Sequence, residues 1–479
     1  MNKFYITTSI AYVNAPPHVG FALESIQADA LARYHRAKGE KVFFLTGTDD
    51  HGSKVARSAE KAGLTPQEFT DNISKKFKEL KEALNLSWDD FIRTTDKKRH
   101  WPNVEMVWKK LIDAGDIYKK TYEGLYCVGH EAFVTEKDLI DGKCADHQTK
   151  PEVIKEENYF FRLSKYADVV AKKIESGELE IVPETRKNEV LSFIKQGVTD
   201  ISFSRPSKSL SWGIPVPGDD SQTIYVWADA LVNYLFPKEF WPADVHVIGK
   251  DILRFHALYW PAMLISAGIE LPKKIFTHGF IVSGGQKMSK SLGNVVDPFE
   301  LSQKYGADAL RYFLLREIPA YGDGDFTIQK FEERYNGDLA NGLGNFAARV
   351  LTLGGQLSEI EADENINAWL RKEVSEEIKK THSLIAKKIK EFKFHEALAD
   401  IWTLIGFGDK LVNKEKPWAI KDEKEKQKVL VNLIVLLDNI SAMIAPFLPE
   451  ASGKITKGIV WKNEKTLAIK KGEVLFPRL

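Results

Sequence analysis

The sequence predicts an α/β protein: a doubly wound parallel-sheet (Rossmann-like) domain with a small domain inserted in it, followed by an all-α bundle. Three observations carry that reading. Strand-like and helix-like segments alternate over residues 1–118 and again after 205, and βαβ alternation builds a parallel sheet. Between 119 and 204 the alternation breaks, in the stretch that holds both cysteines. From 336 onward strand-like runs almost vanish, and apolar residues recur at helical spacing with Lys and Glu on the polar sides.

Bulk properties agree with a multidomain soluble protein. The chain has 479 residues, enough for about two to four domains. Hydrophobic content is 43% and charged content 28%, ordinary for a soluble protein. A net charge of +1 excludes a globally basic nucleic-acid binder, so any surface for a polyanion must be local. Two cysteines, Cys127 and Cys144, are too few for a disulfide framework. The start of the chain lacks a signal peptide's basic, apolar and cleavage segments, so a cytoplasmic location is expected. The most apolar run, 429–437, is interrupted by Asn432 and reads as a core helix.

The elements follow in order. Residues 4–13 (FYITTSIAYV) are rich in β-branched and aromatic residues and read as a buried strand. Pro16 and Pro17 stop it and pre-set a turn. Residues 22–37 carry Leu23, Ile26, Ala30 and Leu31 at helical spacing. A second strand is expected at 41–46 (KVFFLT), with helices around 66–84 and 102–114, completing the first half of the Rossmann-like domain at 1–118. The inserted connective domain, 119–204, has a charged helix around 165–177. The second half, 205–270, holds a strand-to-helix segment at 225–233 and a short buried strand at 245–248. The region 271–335 contains a strand at 275–282 and a Lys/Ser/Gly loop with its linker. The bundle, 336–479, has helical periodicity over 373–390, 394–412 and 424–444.

Two short stretches carry the chemistry. In Asn14-Ala-Pro-Pro-His-Val-Gly20, His18 and Gly20 fall where a helix begins, and there unpaired N–H groups and the helix dipole favour an anion. In Ser283-Gly-Gly-Gln-Lys-Met-Ser-Lys-Ser-Leu-Gly-Asn294, the glycines allow a tight turn, while lysines and hydroxyls can wrap a phosphate chain. Alone, the first reads as a capped surface turn and the second as a solvated loop. Together they are far more specific. The pair resembles the two signatures of the class I aminoacyl-tRNA synthetases. Lys287-Met-Ser-Lys-Ser291 matches in full; His18-Val-Gly-Phe21 departs from the family pattern, with Phe21 where a second histidine stands.

The resemblance implies ATP as substrate, Mg²⁺ with it, and attack of an amino-acid carboxylate on the α-phosphate. His18, Gly20, Lys287 and Lys290 would then be catalytic, and Glu24, Asp251 and Ser289 would join them in holding ATP. Charge grows on the phosphoryl oxygens, so positioning and electrostatic stabilisation carry such a reaction.

Further blocks resemble the methionine-activating branch of that family: Ile10-Ala-Tyr-Val-Asn14, Thr46-Gly-Thr-Asp-Asp-His-Gly52, Tyr225-Val-Trp-Ala-Asp-Ala230, Gly249-Lys-Asp-Ile252 and Phe255-His-Ala-Leu-Tyr-Trp-Pro261. Carried over by position, the methionine pocket uses Ile10, Tyr12, Trp227, Ala230, Leu231, Tyr234, Ile252, His256 and Tyr259, with Asp49 on the substrate ammonium and Asp251 facing the ribose. A polarizable thioether packs well against aromatic edges, although core packing is the ordinary fate of each such ring. Synthetases for branched aliphatic residues resemble this chain but carry a large editing insertion, because pockets discriminate a methylene poorly; 119–204 is too short for one.

Cys127-Val-Gly-His130 and Cys144-Ala-Asp-His147 repeat one Cys-x-x-His spacing. Thiolates and imidazoles so paired suit a tetrahedral Zn²⁺ site, with two buried cysteines as the alternative. Family knuckles at this place are usually richer in cysteine, and His130 stands where cysteine is commoner.

In the bundle, Asn345, Arg349 and Trp418 match residues that meet the anticodon in the family. Asn345 and Arg349 lie one helical turn apart and share a face; Trp418 follows Pro417 and can stack on an unstacked base. The expected partners are methionine, ATP and a methionine-accepting tRNA, with no membrane, and the expected state is a monomer. Two rivals stand beside this reading: a nucleotidyl-transferring enzyme that activates an acid without tRNA, and a catalytically weak tRNA-binding adapter descended from a synthetase.

Overall fold

The computed structural model describes residues 2–128, 132–134, 136, 139–145, 148–288, 294–362 and 365–479, with side chains for all of these except Ala132, Lys287 and Asn367. The chain forms two compact units. The first comprises residues 1–17, 39–81 and 87–278, and the second 18–38, 82–86 and 279–479.

The first unit is built on a seven-stranded sheet. Its order is Glu180–Val182, Lys274–His278, Val245–Gly249, Lys3–Thr8 and Lys41–Asp49, with Ala11–Tyr12 and Asp90–Arg93 also on the last of these. Every pairing is parallel. Lys3–Thr8 is flanked by Lys41–Asp49 on one side and by Val245–Gly249 on the other, so the chain changes direction across the sheet at this strand. Open α/β sheets bind ligands outside the carboxyl ends of the strands at such a switch point. The sequence predicts one strand over 4–13; the structure splits it into Lys3–Thr8 and Ala11–Tyr12. Ser9 donates its N–H to Val247 and Val13 donates to Asp49, so the chain shifts from one neighbour strand to another in between. Gly47 is required where it stands: a Cβ there would lie 2.1 Å from the Ile92 carbonyl oxygen on the paired strand.

Within the expected insertion, the long antiparallel pair Ile117–Cys127 and Glu152–Phe161 dominates a four-stranded sheet, while Glu180–Val182 joins the parallel sheet. A large cluster of buried apolar residues joins helices Trp101–Asp113, Leu163–Glu175 and Trp260–Ser266.

In the second unit the helix Val19–Ala37 starts at Val19, three residues ahead of its apolar periodicity, because His18 caps it. Four long helices follow: Asn345–Gly355, Lys372–Lys390, Phe394–Glu415 and Glu423–Ile444. The last has the length and composition to cross a membrane, yet 72% of its apolar window is buried inside the protein. The bundle is not wholly helical. Glu359–Glu361, Ile459–Trp461 and Thr466–Ile469 form a three-stranded antiparallel sheet, whose strands are too short to stand out in the sequence.

Candidate active site

The ends of the parallel strands in the first unit carry four of the residues singled out for the site, and helical segments carry most of the rest. Tyr12 lies in Ala11–Tyr12, Asp49 ends Lys41–Asp49, and Asp251 and Ile252 follow Gly249 at the end of Val245–Gly249. Tyr12, Trp227, Ile252 and Tyr259 are half-buried against the apolar cluster that contains Leu231 and Tyr234. Ala230 is buried in the same helix as Trp227. Ile10 differs: it packs against a separate cluster built on Tyr5, Leu45, Ile92, Phe240 and Ala243.

Aromatic geometry organises the pocket. Trp227 stacks on Phe255 with ring centroids 3.8 Å apart and planes 5° from parallel, and it meets His256 edge-on at 6.2 Å. Phe255, which opens a matched block but is not among the residues carried over to the pocket, is therefore part of the wall, and Tyr259 meets its ring at 5.1 Å. His256 lies in a single π-helical turn, Phe255–Tyr259, a feature that recurs at functional sites. Its Nδ1 is 2.9 Å from the Ile252 carbonyl oxygen, which only accepts, so Nδ1 carries the hydrogen. Its Nε2 then accepts the Tyr234 hydroxyl proton at 2.8 Å. Burial pushes the His256 pKa down to about 4, and burial drives the neighbouring His246 well below its ordinary value. The pocket's imidazoles are neutral at physiological pH, so an uncharged substrate side chain meets no charge from them.

Asp49 is buried, and Thr94 Oγ1 donates to its carboxylate at 3.4 Å. Asp50 beside it accepts from Arg93, Thr95 and Ser74 at 2.7, 2.6 and 2.9 Å. Trp212 holds the same segment from the other end, donating to the Asp50 carbonyl at 2.6 Å and accepting from Gly52 N–H at 3.1 Å. Asp251 is exposed, and its carboxylate sits so close to Gly249 that a Cβ there would lie 2.7 Å from Oδ1. Asp229, buried between His51 and His100, is a further polar centre. Asp229 and His51 fall within matched blocks, whereas nothing in the sequence marks His100.

The second unit places His18 at the N-cap of Val19–Ala37, where Gly20 N–H donates to its Nδ1 at 3.0 Å. In the neutral ring that bond leaves the hydrogen on Nε2. A Cβ at Gly20 would lie 2.7 Å from His18 Cε1, so a side chain there would displace the cap. Glu24 is buried one turn further along the helix. The Lys287 backbone lies in a hairpin, Gln286–Lys287 against Ile281–Ser283, turned by Gly284 and Gly285 at φ 60° and 75°. Asp325 accepts from Gly285 N–H at 3.0 Å and anchors that turn. The Lys287 side chain, Ser289 and Lys290 lie outside the described residues.

Cys127 and Cys144 are both buried at strand ends. His130 and His147 lie outside the described residues, and no cluster of three or more His, Cys, Asp or Glu side chains fit to hold a metal occurs among the described ones. In the bundle, Asn345 is exposed at the start of Asn345–Gly355, and Arg349 is held by Asp409 at 3.3 Å and Asn413 at 2.7 Å. Trp418 stands 56% exposed on the turn just after the helix that carries Asp409 and Asn413, so it is no core anchor.

Comparison with known proteins agrees with this arrangement. A family profile described as "tRNA synthetases class I (M)" matches residues 4–146 and 134–351. The methionine–tRNA ligase of Clostridium perfringens is 45% identical over 99% of this chain and 78% of that protein. The methionine–tRNA ligase of Rhizobium meliloti is 43% identical over 95% of this chain and 91% of that protein. The solved structure of Mycobacterium tuberculosis methionyl-tRNA synthetase in complex with methionyl-adenylate superposes with a TM-score of 0.91 and 39% identity, covering 100% of both chains.

Proposed function

The chain belongs to the methionine–tRNA ligases of class I, and from that membership we propose how its residues divide the work. The enzyme activates methionine with ATP to methionyl-adenylate and pyrophosphate, then transfers the methionyl group to the 3′ end of tRNA. The observation that carries the assignment of side chains is the uncharged aromatic pocket at the switch point of the sheet, with the carboxylate of Asp49 at a neighbouring strand end.

Asp49 takes the substrate ammonium. The thioether lies among Trp227, Leu231, Tyr234, His256 and Tyr259, where rings offer polarizable edges at roughly 0.3–1.5 kcal/mol per contact. The substrate carboxylate attacks the α-phosphate: the new O–P bond forms as the bond to pyrophosphate breaks. His18, with its Nε2–H, and the N-terminus of its helix donate to phosphate oxygens, Gly20 leaves room for that cap, and Glu24 and Asp251 hold the nucleoside end. Lys287 and Lys290 neutralise the departing pyrophosphate. In the second half-reaction a ribose hydroxyl of the tRNA attacks the adenylate carbonyl, and AMP leaves.

Mg²⁺ accompanies ATP and offsets its charge. Zn²⁺ suits Cys127, His130, Cys144 and His147, a two-thiolate, two-imidazole set whose described members are buried; it would fasten the inserted domain and take no part in the reaction. Asn345, Arg349 and Trp418 read the anticodon. A cytoplasmic monomer is the setting we assign to it, in keeping with two cysteines present as thiols. The relatives named above are ligases and lend no support to a silent adapter. Incubation with ATP, labelled methionine and tRNA tests the assignment: we expect an alkali-labile methionyl ester on the 3′ end, and tRNA bound but never charged would overturn it.

A further inference from the structure

Asp229 belongs to no part of the reaction described above, yet both of its carboxylate oxygens are bound. It lies on the short helix Val226–Ala230, between Trp227 and Ala230 of the methionine pocket, and it is wholly buried. Its Oδ2 accepts from His51 Nδ1 and its Oδ1 from His100 Nε2, each at 2.6 Å. Both imidazoles are themselves buried. Two charge-assisted bonds at that length are strong, and a carboxylate taken out of water is tolerated only when so held.

The two arms converge on one place. His51 is two residues beyond Asp49 in the chain, and its ring is set edge-on against Trp101 and Trp212, at 6.2 and 5.6 Å. His100 immediately precedes Trp101, whose indole N–H donates to the Thr94 carbonyl at 3.0 Å. Thr94 Oγ1 in turn donates to the Asp49 carboxylate and accepts from Asp50 N–H at 2.8 Å. Starting from Asp229, one path runs through His51 and the other through His100, Trp101 and Thr94, and both end at Asp49. The carboxylate thus ties the helix that supplies the wall of the methionine pocket to the strand end that receives the substrate ammonium.

The geometry points to Asp229 as a positioning residue for methionine, acting through His51 and His100 to hold Asp49 in register with Trp227. This rests on the proposed pocket. It requires no contact between Asp229 and substrate. His100 Nδ1 is buried without a partner among the described residues, so moving the ring hydrogen there breaks no existing hydrogen bond, although it leaves that N–H unpaired. In Asp229→Asn the side-chain oxygen would then accept from His51 while its NH₂ donates to His100, keeping the brace and losing only the charge.

Methionine-dependent exchange of pyrophosphate into ATP provides the test. Asp229→Ala should raise KM for methionine at least about tenfold while KM for ATP stays within about twofold of wild type. Asp229→Asn should recover most of the loss, and His100→Gln, which keeps a donor near the place of Nε2, should behave like it. KM does not depend on the fraction of folded enzyme, so a mere folding defect cannot yield this split. Asp116→Asn is the matched control, since Asp116 is a buried carboxylate bound to Tyr166, Lys165 and Ser266 and to no pocket residue; it should change neither KM. Unchanged methionine KM in both Asp229 variants, or equal rises in both KM values, would overturn the proposal. Should Asp229→Ala not fold, His100→Ala decides, because it removes one donor of the brace: a methionine-specific rise in KM that His100→Gln largely reverses supports the proposal, and an unchanged methionine KM or equal rises in both KM values overturn it. Lack of any methionine-dependent exchange in the wild type would instead refute the assigned function and is told apart at once.

Discussion

The Tyr234 hydroxyl donates to His256 Nε2 at 2.8 Å while the far side of the same ring donates from Nδ1 to the Ile252 carbonyl. Both ring nitrogens are occupied, and the imidazole is held neutral inside an aromatic wall. That arrangement makes the pocket a place for an uncharged, polarizable side chain.

A pH dependence of stability follows from it. The pKa of His256 in the folded protein is about 4, lowered by burial, against about 6.5 for an exposed histidine. Between those values the unfolded chain binds the proton and the folded one does not. The contribution is therefore complete above about pH 6.5 and is lost as pH falls toward 4. Urea unfolding at pH 7 and pH 5 should show the wild type losing more stability than His256→Gln, by on the order of 1–2 kcal/mol. Equal losses would show that the ring protonates freely in the folded state.

Gly20→Ala should damage ATP use selectively. The new methyl group would lie 2.7 Å from the His18 ring, so the ring must leave its N-cap position. Removing a cap costs about 1 kcal/mol of helix stability, and displacing a phosphate donor costs on the order of tenfold or more in rate. Exchange kinetics should show kcat/KM for ATP falling with KM for methionine unchanged.

Trp418→Ala should separate the two half-reactions. Loss of one stacked base is worth roughly 1–3 kcal/mol, which predicts a rise of about tenfold in KM for tRNA during charging. Tryptophan exposed on a bundle turn has no bearing on adenylate formation, so pyrophosphate exchange should match wild type. Equal loss in both assays would contradict an anticodon role.

Elemental analysis of purified protein should give close to one zinc per chain, and chelation should lower the melting temperature, since a structural metal contributes folding energy. Less than about 0.2 zinc per chain would remove the site.

Much of this was legible in the sequence, for identifiable reasons. Strand ends are marked by turn chemistry, so the positions of Tyr12, Asp49 and Asp251 at the carboxyl edge could be read directly. Pro16 and Pro17 announced the turn before His18, although helical periodicity placed the helix start at 22 when the cap put it at Val19. What escaped were relations created by tertiary contact alone. Phe255 becomes a wall of the pocket only because a π-helical turn brings it face to face with Trp227. Ile10, from a matched block, packs against the cluster that contains Tyr5 and Phe240, a contact its block does not announce. His100 has no local signal, and its role exists only through Asp229, far along the chain. The terminal sheet was missed because strands of three and four residues leave no usable period.

The most direct test of the central claim is exchange of labelled pyrophosphate into ATP with methionine as the only amino acid and no tRNA present. The assigned methionine pocket and phosphate-binding residues predict rapid exchange with methionine, at least about a hundredfold slower exchange with leucine, and a loss on the order of 10²-fold or more in Lys290→Ala. No exchange with methionine, or equal exchange with leucine, would contradict it.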